Sequence, residues 1–190
     1  MAAEQESLGG KVALITGAAR RVGAEIARGL HAEGMGIAIH YRSSREEAEA
    51  LADTLNDRRA GSAAAFHGDL LATERLRVLV DKVVAAFGRL DVLVNNASSF
   101  YPTPVGGCAE SQWDDLLGTN VKAPFFLAQA AAPHLRACRG CIVNLADIHG
   151  ARPLAGHPVY SIAKAANLML TRALARELGP EVRVNSVSPG

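Results

Sequence analysis

"KVALITGAARRVGAEIARGL", residues 11–30, decides the fold. "KVALIT" at 11–16 is a short apolar run and reads as a buried strand, while residues 24–34 carry apolar side chains at three- and four-residue spacing, stopped by Gly34, and read as a helix. Between them "TGAARRVG", residues 16–23, puts Gly17 where the chain must turn sharply and leads straight into a helix N-terminus. Free N–H groups and a partial positive charge at such a terminus suit a phosphate group.

The same alternation continues along the chain. Apolar runs at 35–41, 63–67, 91–96, 141–146 and 182–187 predict strands, and helical patterns at 44–59, 72–87, 110–138 and 158–178 lie between them, with an irregular loop to about Gly107. Strands this apolar are covered on both faces, so strict alternation predicts a doubly wound α/β fold with a parallel sheet. Ligands bind such sheets at the carboxyl ends of the strands, near the point where strand order reverses. No repeat, linker or low-complexity tract divides residues 1–190, which are expected to form a single domain.

Composition narrows the partners. With 20 Lys and Arg against 19 Asp and Glu the formal charge is +1, which offers no field for nucleic acid or acidic lipid and favours a small molecule. "MAAEQESLGG" lacks a basic start followed by an apolar core, and no run of ~18 apolar residues occurs, so a cytoplasmic protein is expected. "CRGC", residues 138–141, matches C-x-x-C, but no second Cys or His pair at metal-ligand spacing accompanies it. Buried structural thiols and no metal are expected.

The second strand ends in "HYRSS", residues 40–44, about 20 residues past the glycine turn, where a fold selecting NAD carries an acid for the ribose hydroxyls. Here Arg42, Ser43 and Ser44 stand instead, with Arg20 in the glycine turn, and these groups favour a 2′-phosphate and hence NADPH. Further along, Tyr160 and Lys164 are four residues apart and share a helical face. An ammonium beside a phenol is expected to lower the phenol's pKa and make it a usable proton donor near neutral pH.

Taken together, "TGAARRVG", "GDL" with Asp69, "NNAS" at 95–98, "TN" with Asn120, "YSIAK" and "RVNSVSPG" resemble the short-chain dehydrogenase/reductase family over almost the whole chain. That resemblance implies a Rossmann-type sheet, Asn120, Tyr160 and Lys164 as catalytic residues, and Lys164 on the nicotinamide ribose. It also implies a cofactor cleft formed by Gly17, Arg20, Arg21, Val22, His40, Tyr41, Arg42, Ser43, Asp69, Leu70, Asn95, Asn96, Ala97 and Ser98, together with Tyr160, Lys164, Pro189 and Gly190.

Two departures point to one branch of that family. Asp147 stands where the family usually has serine, and Arg21 stands at the middle glycine of the turn. With "GLHAEG" at 29–34, "HYRSS" and "NNASSFYPTP" at 95–104, they resemble the pteridine reductases. The resemblance implies an NADPH-dependent reductase of pterins or dihydrofolate-like compounds, in which Arg21, Ser98, Phe100, Asp147 and Tyr160 hold the substrate. Phe100 would stack on a flat ring, and Asp147 would assist Tyr160 in delivering a proton. Burial would raise the Asp147 pKa and nearby cations would lower it, and the sequence leaves that balance open. His149 reads as a polar loop residue.

Related enzymes continue past "SPG" at 188–190 with a substrate-covering loop and a last strand, so the strand at 182–187 is expected to lie at a sheet edge. The family resemblance also implies a homotetramer built on the helices at 110–138 and 158–178. An ordinary carbonyl reductase and a non-catalytic NADP(H)-binding protein are the alternative readings.

Overall fold

The computed structural model of the chain describes residues 7–189. It contains the strands β1 (Val12–Ile15), β2 (Gly36–Tyr41), β3 (Ala63–His67), β4 (Val92–Asn95), β5 (Cys141–Leu145) and β6 (Arg183–Val187). The helices are α1 (Arg21–Ala32), α2 (Arg45–Arg58), α3 (Leu76–Phe87), α4 (Glu110–Leu117), α5 (Ala123–Cys138) and α6 (Pro158–Leu178). All neighbouring strands pair in parallel, in the order β3-β2-β1-β4-β5-β6, so strand order reverses between β1 and β4. This is the Rossmann-type order, and a crevice opens at that reversal.

Side-chain alternation along β1 divides the core. Val12 and Leu14 point to one face, where they pack with Leu79, Val80, Leu127 and Leu135 of α3 and α5 and with Leu174 and Leu178 of α6. Ala13 and Ile15 point to the other, against Ala24 and Ala27 of α1 and Leu51 and Leu55 of α2. Both faces of the strand are covered, which explains its unbroken apolar run. β6 lies at the edge of the sheet, as expected.

The helical stretch expected over 110–138 is present, but it changes character midway. A π-turn at Gly118–Lys122 separates α4 from α5, and an extra residue per turn there swings Asn120 into the interior, where it is buried. The first helix starts at Arg21 rather than 24, so the second arginine of the glycine turn is its opening residue. The thiols of Cys138 and Cys141 are free and half-buried, which corrects the expectation of buried thiols at that motif; Cys108, outside it, is exposed. Among the described residues no group of His, Cys, Asp or Glu is placed to hold a metal, and no helix is long and apolar enough to cross a membrane.

Candidate active site

The glycine turn sits above the reversal point between β1 and β4. Gly17 adopts φ +61°, a conformation that L side chains seldom take, and its turn is tied down from β4. Asn96 donates from Nδ2 to the carbonyls of Thr16 (2.8 Å) and Gly17 (3.1 Å), while the Thr16 hydroxyl accepts the N–H groups of Asn96 and Ala97. His40 holds the turn from β2. Its Nδ1 accepts the Gly17 N–H at 3.2 Å and its Nε2 lies 3.1 Å from the Gly68 carbonyl, an acceptor, so the ring is neutral with its proton on Nε2. Burial, outweighing the hydrogen bond to Gly68, lowers the His40 pKa to about 4.

These contacts border a groove of about 480 Å³. Its walls include Gly17, Arg20, Arg21, Val22, His40, Tyr41, Arg42, Ser43, Ser44, Asp69, Leu70, Asn96, Ala97 and Ser98, all named from the sequence, together with Ser99 and Thr119, which the sequence reading leaves out. Tyr160 and Lys164 are not among its lining residues, and neither is Asn95. The Asn95 side chain is buried and donates to Asn144 Oδ1 at 2.8 Å. Pro189 is exposed and away from the groove lining, and Gly190 lies outside the described residues.

At one end of the groove Arg42 and Ser43 are exposed, and Arg20 forms a 3.3 Å ion pair with Glu47 of α2. The carboxylate that lines the groove, Asp69, follows β3 rather than β2. Arg21 takes φ +53°, the left-handed conformation suited to the glycine it replaces. The residues therefore fit a dinucleotide, with a helix N-terminus for the pyrophosphate.

The second half of the site joins the end of β5 to α6. Tyr160, at the start of α6, donates from its hydroxyl to Asp147 Oδ2 at 2.6 Å. The other oxygen, Oδ1, accepts the His149 N–H at 2.9 Å. His149 thus acts through its backbone, a contact its side chain does not disclose. Close packing makes this possible, since a Cβ at Gly150 would come within 2.8 Å of the Lys164 backbone. Lys164 is buried, donates from Nζ to the Leu145 carbonyl at 2.8 Å, and lies 5.5 Å from the centre of the Tyr160 ring.

Burial pushes the Lys164 pKa down to about 8 against the opposing charge of Asp147. Burial acts most strongly on Asp147 too, raising its pKa, but the hydrogen bonds from His149 and Tyr160 and the charges of His149 and Lys164 bring the net shift below the usual value. The balance left open by the sequence therefore falls on the anionic side. The Tyr160 phenol is pushed up by burial and then by its bond to anionic Asp147. The expected lowering by Lys164 is not met here, because the ammonium is spent on Leu145 while a carboxylate holds the phenolic proton.

Phe100 closes the site. It is exposed, meets Tyr160 edge-on at 4.8 Å, and stacks on His157 at 4.8 Å with an interplanar angle of 6°. His157 has no local sequence signal, because two loops bring the rings together. The Thr103 N–H donates to the Gly156 carbonyl at 2.8 Å and joins those loops. Asn120 completes the arrangement: its Oδ1 accepts the Ser98 hydroxyl at 2.7 Å, and its Nδ2 donates to the Leu116 and Ser99 carbonyls.

The sheet order and the glycine turn fit a nicotinamide-dependent oxidoreductase, and the chain belongs to the short-chain dehydrogenase/reductase family: the family described as short chain dehydrogenase matches residues 11–190. Pteridine reductase 1 of Leishmania tarentolae is 41% identical over 94% of this chain and 75% of its own. The 3-oxoacyl-acyl-carrier-protein reductase FabG of Staphylococcus aureus is 37% identical over 95% of this chain and 74% of its own, and a short-chain type dehydrogenase/reductase of Picea abies is 35% identical over 96% and 71%.

Proposed function

We propose that the protein is an NADPH-dependent reductase of pterins or dihydrofolate-like compounds. The observation that carries this reading is the 2.6 Å hydrogen bond from Tyr160 to Asp147, which places two titratable groups side by side. Reduction of an ordinary carbonyl calls for one proton at oxygen, whereas a pterin ring takes a proton at nitrogen and so needs a donor beside that atom. The 41% identity to a pteridine reductase supports the same substrate class.

NADPH in the groove would supply the hydride. Arg42, Ser43 and Arg20 would hold its 2′-phosphate, and the glycine turn with the N-terminus of α1 its pyrophosphate. Lys164 would bind the nicotinamide ribose. Arg21 and Ser98 would hydrogen-bond the polar edge of the substrate, with Phe100 against its flat face. A ring seated over Asp147 adds to burial, already the strongest influence on that carboxyl, and shifts it toward the protonated form it needs as a donor. Tyr160, oriented by Asp147, then stands ready as the neighbouring acid.

A carbonyl substrate is the second reading, favoured by the 37% identity to a 3-oxoacyl reductase. NADPH oxidation measured with dihydrobiopterin, dihydrofolate and a panel of ketones separates the two. Turnover of the pterins is expected, and turnover of ketones alone would overturn the pterin assignment.

A further inference from the structure

The face of α6 that meets the sheet is polar where a core helix is ordinarily apolar. Lys164, Asn167 and Thr171 recur at three- and four-residue spacing along it and are all buried. Asn167 is 2% exposed, and its carboxamide is only half used. Nδ2 donates to the backbone carbonyl of Asn120 at 2.8 Å, while Oδ1 has no hydrogen-bond partner among the described residues. An unpartnered buried oxygen destabilises a fold, and an apolar side chain at this position would avoid it. The favourable contact this residue makes is directed at one atom, the carbonyl of Asn120.

That carbonyl belongs to the π-turn Gly118–Lys122, where backbone pairing is irregular and the turn needs an outside partner to set its position. Beyond it, Asn120 Oδ1 holds the Ser98 hydroxyl and Asn120 Nδ2 holds the Ser99 carbonyl, so the loop leading to Phe100 hangs from the same residue. On the other side, Thr171 donates to the Asn167 carbonyl and accepts from Asn144 of β5, which in turn accepts from Asn95 of β4. A continuous hydrogen-bonded chain thus runs from the middle of the sheet, through α6, to the groove.

We infer that Asn167 is a positioning residue for the reaction: its carboxamide holds Asn120, and with it Ser98 and Phe100, at a fixed spacing from Tyr160 and Lys164 on its own helix. Reaction rate depends steeply on such spacing between reacting groups, whereas binding of the cofactor in the groove draws on other contacts. The inference rests on Asn120, Tyr160 and Lys164 as the reacting site and is independent of the pterin reading.

Asn167→Leu and Asn167→Ala test it, with kinetics measured on whichever substrate the parent reduces, pterin or carbonyl, alongside NADPH dissociation constants and melting temperatures. A fall in kcat of about tenfold or more is expected in both variants, with the NADPH dissociation constant held within about twofold. Asn167→Leu removes one unpartnered oxygen and leaves the Asn120 carbonyl without its donor, so its melting temperature is expected to stay close to the parent's. If the leucine does not fit, the smaller alanine carries the kinetic test. Parental kcat in the variants, or a loss of kcat that only tracks a loss of melting temperature and cofactor affinity, would overturn the inference. A parent that reduces ketones but no pterin would sink the substrate assignment and leave this comparison intact.

Discussion

The Tyr160 hydroxyl and Asp147 Oδ2 are 2.6 Å apart and join the loop after β5 to the first turn of α6. Burial and this bond hold the phenol protonated, while the bonds from His149 and Tyr160 outweigh burial and leave the carboxylate charged. A serine in place of Asp147 would orient the phenol without contributing a charge or a titratable proton.

Cofactor selection follows from the far end of the groove. Arg42 faces it free of the ion pair that engages Arg20 with Glu47, so Arg42 is expected to supply more of the attraction for a 2′-phosphate. Arg42→Asp should weaken NADPH binding by about ten- to a hundredfold, in line with a charge-assisted hydrogen bond, and Arg20→Ala by less. Dissociation constants for NADPH and NADH measure this, and equal values for the two in the parent would refute the assignment.

Arg21 opens α1 in the left-handed conformation. Arg21→Gly should therefore raise stability by roughly 0.5–1 kcal/mol while raising the KM for substrate. Denaturant unfolding together with steady-state kinetics reads both effects. A variant less stable than the parent would show that arginine contacts outweigh the backbone strain.

His40 makes stability depend on pH. Its folded pKa of about 4 lies below the ordinary 6.5, so the unfolded chain binds the extra proton, and the stability His40 contributes is complete above 6.5 and lost as pH falls toward 4. The full effect is about 3 kcal/mol. Unfolding free energies of the parent and of His40→Asn, measured between those limits, should diverge as pH rises, with the variant showing the shallower slope. Parallel slopes would show that His40 is not held neutral.

Assembly is expected through α4, α5 and α6. Ile162 and Met169 lie two turns apart on one face of α6 with 47% and 59% of their surface exposed, and Trp113 and Phe125 of the neighbouring helices are 43% and 42% exposed. Met169→Glu should shift a tetramer toward smaller species in light scattering. A soluble monomer of the parent at micromolar concentration would contradict the interface.

The strands and their order of succession were legible because both faces of the sheet are covered, which leaves runs such as "VALI" without a polar residue. The π-turn was not, since Gly118–Lys122 adds one residue without interrupting the helical pattern from 110 to 138. Tyr160 and Lys164 could be paired by helical spacing alone, but the stack of His157 on Phe100 arises from two loops distant in sequence. Thr16 and Asn96 were visible as motif letters, yet their use as ties on the glycine turn depends on the β1–β4 pairing. The protonation of Asp147 needed distances, because burial and hydrogen bonds act on it in opposite directions.

Substitution of Asp147 is the decisive test of the pterin assignment. Pterin-dependent NADPH oxidation is measured against pH for the parent, Asp147→Ser and Asp147→Asn, together with NADPH binding. Both variants are expected to bind NADPH as the parent does and to lose pterin turnover by about a hundredfold or more, the range for a positioned acid. Asn keeps the shape and loses the titratable proton, so it should fail as serine does. Parental turnover in Asp147→Ser with an unchanged pH profile would reduce Asp147 to a loop residue and contradict the pterin assignment.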